Sequence, residues 1–197
     1  MREIKVSMYL IRHGKVKGNL EKRFVGTTDE ELTAEGAGYI KECHDSGRYS
    51  SVDYLYVSPM KRCRQTAQII YPDIDQLVID GFREMDFGEF EEKNYEELNG
   101  NKAYQDWIDS NGELPFPGGE GREEFSKRVM EGFDKLVDDL RRRLEDTAIA
   151  LVVHGGTIMA LQSALGLCGF FDRMPENGDV IKVNLIVDEE GYRVVND

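Results

Sequence analysis

Long apolar runs are absent from this chain of 197 residues. No segment reaches the roughly 20 residues needed to cross a bilayer as a helix, and the first six residues, Met-Arg-Glu-Ile-Lys-Val, lack the continuous apolar stretch of a secretory leader. A cytoplasmic protein with no membrane partner is therefore expected. Cysteine is scarce too. Cys43, Cys63 and Cys168 are odd in number and lack the close spacing of a metal or redox motif, so reduced, structural thiols and no metal site are expected. A basic balance is also missing: 25 Lys and Arg stand against 38 Asp and Glu, a net charge of −13. That argues against nucleic acid as a partner, because a polyanion demands a basic face. Histidine occurs only three times.

What is present suffices for one sizeable core. The chain is 40% hydrophobic and falls within the size of a single domain. Residues 6–11, 52–57, 77–79 and 148–153 read as buried strands. A helix capped by Thr33 lies between the first two, and a second with Pro59 in its first turn runs to about Ile70. Phe125, Val129, Phe133, Leu136, Leu140 and Leu144 recur at helical spacing among charged residues, an amphipathic helix. Its Arg141-Arg142-Arg143 run complements the helix macrodipole. Another helix opens at Gly155. Residues 180–187 and 192–195 form a closing hairpin about Gly191. Alternating strands and helices predict an α/β fold, a three-layer α/β/α sandwich whose mainly parallel sheet has an antiparallel edge strand. Residues 83–120, rich in acid, Gly and Pro, are expected to form a loop-rich cap over a site.

The basic residues are unevenly spread. Through residue 25, Arg2, Lys5, Arg12, Lys15, Lys17, Lys22 and Arg23 face only Glu3 and Glu21, and Lys61, Arg62 and Arg64 form a second cluster. Both clusters adjoin strand ends, where ligands collect in such sheets. Arg12 and His13 follow the first strand, Ser58 the second, and His154 the most apolar one; His44, beside Asp45 on a polar stretch, is read as exposed and inert. Arg and His converging on one point suit a phosphoryl group, whose charge must be met from several sides. Arg12 and Arg62 offer planar forks to non-bridging oxygens, and His154 with the Gly155 N–H at a helix start offers further donors. Neighbouring guanidinium groups disfavour the protonated form of His13, which leaves a ring nitrogen free to attack phosphorus. Glu84, in Arg83-Glu84-Met85-Asp86-Phe87-Gly88-Glu89, is the choice for proton donor over Asp86 and Glu89.

Five segments, in order and across nearly the whole chain, resemble the histidine phosphatase superfamily, also called phosphoglycerate mutase-like: Leu10-Ile-Arg12-His13-Gly14, Ser58-Pro-Met-Lys-Arg62-Cys-Arg-Gln65-Thr66-Ala67, Arg83-Glu84-Met-Asp-Phe-Gly88, Phe116-Pro-Gly-Gly-Glu120 and Val153-His154-Gly-Gly-Thr157. The resemblance implies one catalytic domain over residues 1–197. By it His13 is the phosphorylated nucleophile, Arg12, Arg62 and His154 complete the phosphate pocket, Asn19 is a further phosphate ligand, and Glu84 is the proton donor. The stretch from Arg23 through Gly26, Thr27 and Thr28 to Gly36 resembles α-ribazole-5′-phosphate phosphatases and broad-specificity relatives, which adds Gly26 and Thr27 to the substrate-binding set.

The implied activity is hydrolysis of a small soluble phosphomonoester through a phosphohistidine, with neither metal nor cofactor. The alternatives are a cofactor-dependent phosphoglycerate mutase and a phosphate-binding protein without turnover. A short acidic stretch before Pro117, and Gly156-Thr157 after His154 and Gly155, favour the phosphatase. Lys15-Val16 departs from the usual Glu-Thr or Glu-Ser, which predicts an altered substrate preference.

Overall fold

A computed structural model describes residues 3–143 and 145–195. Strand β1 (Ile4–Arg12) buries Ile4, Val6, Met8 and Leu10 on one face and Ile11 on the other. It is followed by α1 (Lys17–Leu20), α2 (Ala34–Asp45), β2 (Tyr54–Val57), α3 (Lys61–Ile70), β3 (Gln76–Val78), α4 (Lys102–Asp109), α5 (Arg122–Arg143), β4 (Thr147–Val153) and α6 (Gly155–Ala164). Strands β5 (Val180–Val187) and β6 (Tyr192–Val195) close the chain as a hairpin.

The strands form one sheet in the order β3-β2-β4-β1-β5-β6. Pairing is parallel from β3 through β1 and antiparallel for β1 with β5 and β5 with β6. The antiparallel part is the β5–β6 hairpin at one edge of the sheet, as expected. Alternation along the central strands feeds two cores. Ile149, Leu151 and Val153 of β4 join the α5 and α6 side, whereas Ala150 and Val152 join the α2 and α3 side. Helices therefore cover both faces of the sheet.

Helix α5 carries the stripe read from the sequence. Phe125, Val129, Phe133, Leu136 and Leu140 are fully buried, each burial stabilising by about 1.5–3 kcal/mol. Leu144, the sixth member of that stripe, lies outside the described residues, as does Arg2 of the basic cluster. Thr33 caps α2 as expected, its side chain accepting from the Gly36 N–H at 2.9 Å. Pro59 falls outside α3: Met60 is extended, at φ −67° and ψ 140°, and serves as the N-cap.

The segment 83–120 is less irregular than its composition predicts, because it contains α4, started by Asn101 accepting from the Tyr104 N–H at 3.1 Å. None of the α4 residues is fully buried, and at eight residues the helix spans little more than two turns, too short a window for its period to stand out within a Gly- and Pro-rich stretch. Among the described residues no helix is long and apolar enough to cross a membrane.

Candidate active site

The parallel register delivers the site. Arg12 lies opposite Val153 and Val57 opposite Val152, so β1, β4 and β2 end side by side. His13, His154 and Ser58 are the next residues of each chain segment. The His13 N–H donates to the Val153 carbonyl at 3.0 Å and the Ser58 N–H to that of Val152 at 3.1 Å, which carries the ladder one step past the strands.

The His13 and His154 rings stand 5.2 Å apart between centroids, near-perpendicular at 67°, and both are buried. His13 Nδ1 lies 2.7 Å from the Gly14 carbonyl. A carbonyl only accepts, so Nδ1 carries the proton and Nε2 keeps its lone pair. Burial lowers the His13 pKa well below the usual imidazole value, and the Arg62 and Arg12 guanidinium groups lower it further. The neutral, nucleophilic form is the stable one. Asn177 Nδ2 donates to the His13 carbonyl at 2.9 Å and pins its backbone.

Arg62 is fully buried and makes no ion pair among the described residues. Its Nη1 donates to the Thr28 carbonyl at 2.8 Å, its Nη2 to that of Gly26 at 2.9 Å, and its Nε to His154 Nδ1 at 3.2 Å. Guanidinium cannot accept, so His154 holds its proton on Nε2 and donates it to Ser58 Oγ at 2.7 Å. Burial, then Arg62 and His13, lower the His154 pKa well below its ordinary value. Both ring nitrogens of His154 are engaged. Direct donation to an anion, the role read from the sequence, therefore requires a proton on Nδ1.

Arg12 is held by the Pro175 carbonyl, 2.6 Å from Nη1, and its buried Nε has no acceptor among the described residues. Gly155 packs against this guanidinium: a Cβ there would lie 3.2 Å from the Arg12 Cζ. Asn19 accepts on Oδ1 from the Val16 N–H at 3.2 Å and from Asn177 Nδ2 at 3.3 Å, which leaves its own Nδ2 as the group able to donate. Lys15 pairs with Glu35 at 3.3 Å and lines an open cleft with Arg12, while Val16 is fully buried.

Of the three candidate acids, Glu84 alone is buried. Its Oε1 accepts the Met85 N–H at 3.0 Å and its Oε2 the Gly156 N–H at 3.1 Å. A Cβ at Gly156 would collide with this carboxylate, so only glycine permits the contact. Burial raises the Glu84 pKa, against the opposing pull of those two N–H groups and of Arg62 and Arg12. Asp86 instead closes a turn on the Gly88 N–H at 2.8 Å, and Glu89 is exposed.

Gly26 and Thr27 are not open to a substrate through their amides. The Glu91 carboxylate accepts the Gly26 N–H at 3.0 Å and the Thr27 N–H at 2.9 Å, together with the Thr28 hydroxyl at 2.9 Å. The carbonyls of the same loop face Arg62. The loop is thus polarised from both sides, an anion on its N–H groups and a cation on its C=O groups, and its role in this arrangement is to hold Arg62.

A neutral imidazole beside two guanidinium groups that make no ion pair among the described residues, with an acid nearby, is the constellation the five sequence segments imply. The sequence profile of the histidine phosphatase superfamily (branch 1) matches residues 8–196. The chain belongs to that superfamily. It is 32% identical over 154 residues to the phosphatase PhoE of Bacillus subtilis, covering 77% of this chain and 73% of that one. Over 163 residues it is 27% identical to an adenosylcobalamin/alpha-ribazole phosphatase of Salmonella typhimurium, covering 80% and 78%. The crystal structure of a phosphoserine phosphatase mutant from Entamoeba histolytica, in complex with phosphoserine, superposes with a TM-score of 0.75 at 27% identity, covering 97% of this chain and 95% of that one.

In this histidine phosphatase three supporting residues escape a sequence reading. Glu91 is one of several acids after Phe90, with nothing local to distinguish it. Asn177 lies far along the chain from the His13 it holds. Arg128 is one charge on an amphipathic helix, yet it pairs with Glu120 at 2.6 Å and donates to the carbonyls of Gly81, Arg83 and Glu84 at 3.0–3.2 Å, clamping the Glu84 backbone. The Glu120 of the Phe116-Pro-Gly-Gly-Glu120 segment acts through this pair. Among the described residues no group of three or more His, Cys, Asp or Glu is placed to hold a metal ion.

Proposed function

We propose that this protein is a phosphoric monoester hydrolase that works through a phosphohistidine on His13. The carrying observation is that two largely buried guanidinium groups, Arg12 and Arg62, make no ion pair among the described residues and flank the free Nε2 of a neutral imidazole. A buried cation with no partner is costly, and a phosphate dianion in the gap supplies the missing charge. Arg12 Nε, the Gly155 N–H and Asn19 Nδ2 add donors.

In the first step Nε2 attacks phosphorus, the bond to the ester oxygen breaks, and Glu84 gives its proton to the departing alcohol. The raised Glu84 pKa supports this role, since an acid must be protonated to act as one. In the second step Glu84, now a carboxylate, takes a proton from water as the water oxygen bonds to phosphorus and the P–N bond breaks, releasing inorganic phosphate and restoring both residues. His154 orients Arg62 by accepting its Nε–H on Nδ1; if an incoming dianion brings a proton to Nδ1, that contact is given up and both N–H groups turn to the phosphate. Residues 83–120 act as a cap, supported by Glu84, Met85, Phe87, Trp107, Leu114 and Phe116 all lining the adjoining cavity. The three cysteines are free, in keeping with a protein of the cytoplasm acting on small phosphorylated metabolites.

The test is release of phosphate from an aryl phosphate in the presence of chelator, with acid-labile, base-stable phosphate on the protein. His13→Ala should abolish both. Turnover that survives this substitution would overturn the reading, and isomerised phosphoglycerate with slow loss of label to water would make the protein a mutase.

A further inference from the structure

The stretch 175–179, between α6 and β5, meets three residues of the phosphate pocket. Besides the Pro175 carbonyl on Arg12 Nη1, the Gly178 N–H donates to the Arg12 carbonyl at 3.0 Å and the Arg12 N–H to that of Asp179 at 3.1 Å. The stretch is itself braced. The Tyr49 hydroxyl donates to the Gly178 carbonyl at 2.9 Å, and the Asp179 carboxylate accepts the Glu176 N–H at 2.8 Å.

From this support Asn177 reaches the other two residues. Its Nδ2 gives one hydrogen to the His13 carbonyl at 2.9 Å and the other to Asn19 Oδ1 at 3.3 Å. A carbonyl only accepts, so the His13 oxygen fixes which end of the Asn177 amide is the donor. The Val16 N–H, which only donates, fixes Asn19 in the same way at 3.2 Å. Both lone pairs of Asn19 Oδ1 are thereby used. Asn19 lines the cavity beside Arg12 and Gly155, and its Nδ2 has no acceptor among the described residues. Turned over, this amide would set its NH2 against two donors and its oxygen toward the anion.

We infer that Asn177 is a positioning residue for the phosphoryl group: it keeps the N–H groups of Asn19 toward the anion while it holds the backbone of the nucleophile. This rests on the phosphatase reading above and extends it to a residue that acts only through its neighbours.

The test is phosphate affinity, measured by titration calorimetry, in Asn177→Ala and Asn177→Asp, each alone and combined with Asn19→Ala. Alanine removes one bond from Asn19 Oδ1 and leaves the one from Val16, so the amide keeps its sense and Kd should rise about 2- to 10-fold. Aspartate matches asparagine in shape but sets a carboxylate against Oδ1. Asn19 then gains by turning over, exchanging a neutral bond to Val16 for a charge-assisted one roughly twice as strong. Its oxygen faces the anion, and Kd should rise about 10- to 100-fold. A residue that merely filled space would rank the two variants the other way. In the Asn19→Ala background, with no amide to turn, the excess loss from aspartate over alanine should shrink by about 5-fold or more. An unchanged excess there would be charge repulsion alone, and that result, or equal losses in the two single variants, overturns the inference. In the wild type the Asn19 side-chain amide resonances should shift on addition of inorganic phosphate; no shift overturns the inference without any variant. No release of phosphate from any ester and no phosphohistidine would instead remove the phosphatase reading, while the phosphate affinities would still decide the role of Asn177.

Discussion

Arg62 Nε donates to His154 Nδ1 at 3.2 Å, a fully buried cation giving a hydrogen bond to a fully buried neutral ring. With the Gly14 carbonyl fixing His13, the two catalytic-pocket rings hold opposite tautomers, Nδ1–H on His13 and Nε2–H on His154. Only three histidines crowd the spectrum. Long-range proton–nitrogen correlations in the phosphate-free protein should show these two tautomers, and both rings should stay neutral as the pH falls through about 6.5, the ordinary imidazole value. A charged ring at either position near pH 6 would contradict the assignment.

The pH dependence of turnover follows from two opposite displacements. The lowered His13 pKa keeps the nucleophile neutral to more acid pH, and the raised Glu84 pKa keeps the acid protonated to higher pH. Activity should fall on the acid side as His13 takes a proton and on the alkaline side as Glu84 loses one, giving a bell with a mildly acidic to neutral optimum. Glu84→Gln should cost about 10²–10⁴ in rate for an alkyl phosphate and far less for 4-nitrophenyl phosphate, whose leaving group needs no proton. Equal losses for both esters would deny Glu84 the donor role.

Phosphate should stabilise the fold, because it binds the native state alone. At 100 times Kd the gain is about 2.7 kcal/mol, which for a chain of this size raises Tm by about 5–10 °C. In Arg62→Met that rise should vanish. Calorimetry with and without phosphate measures it, and an unchanged rise in the variant would place the anion elsewhere.

Glu91 holds the loop that holds Arg62. Replacing it with Gln leaves one oxygen to serve the Gly26, Thr27 and Thr28 groups it now accepts, and directs an amide N–H toward some of those donors. A loss of about 1–3 kcal/mol in stability is expected. A pure stability effect would leave the kinetics of the folded fraction untouched. Loosening of Arg62 should instead raise KM for every phosphate ester by a similar factor, whatever its alcohol. Chemical denaturation and steady-state kinetics on the same preparation separate the two.

The residues that face one another across the site differ in how visible they were. Arg12, His13 and His154 could be read because each directly follows an apolar strand, and parallel strands must end together on one side of a sheet. Arg62 was legible from its place just past Ser58, at the start of a helix. The α5 stripe was legible because Phe125 through Leu140 repeat at the helical period. Helix α4 was not, since it buries no residue fully and its period runs for only eight residues, against twenty-two in α5. Glu91, Asn177 and Arg128 were invisible for another reason: each acts on a backbone group distant in sequence, and a hydrogen bond to a main-chain amide or carbonyl leaves no mark on composition.

The amino-acid order alone determined the chemistry on offer, namely an imidazole, guanidinium forks and a carboxyl at strand ends, because residue type and local period are written in it. Which nitrogen of His13 is free and which amides Glu91 consumes were decided only when the chain closed. These depend on burial and on partners dozens of residues away, and desolvation exists only once a third dimension has excluded the water.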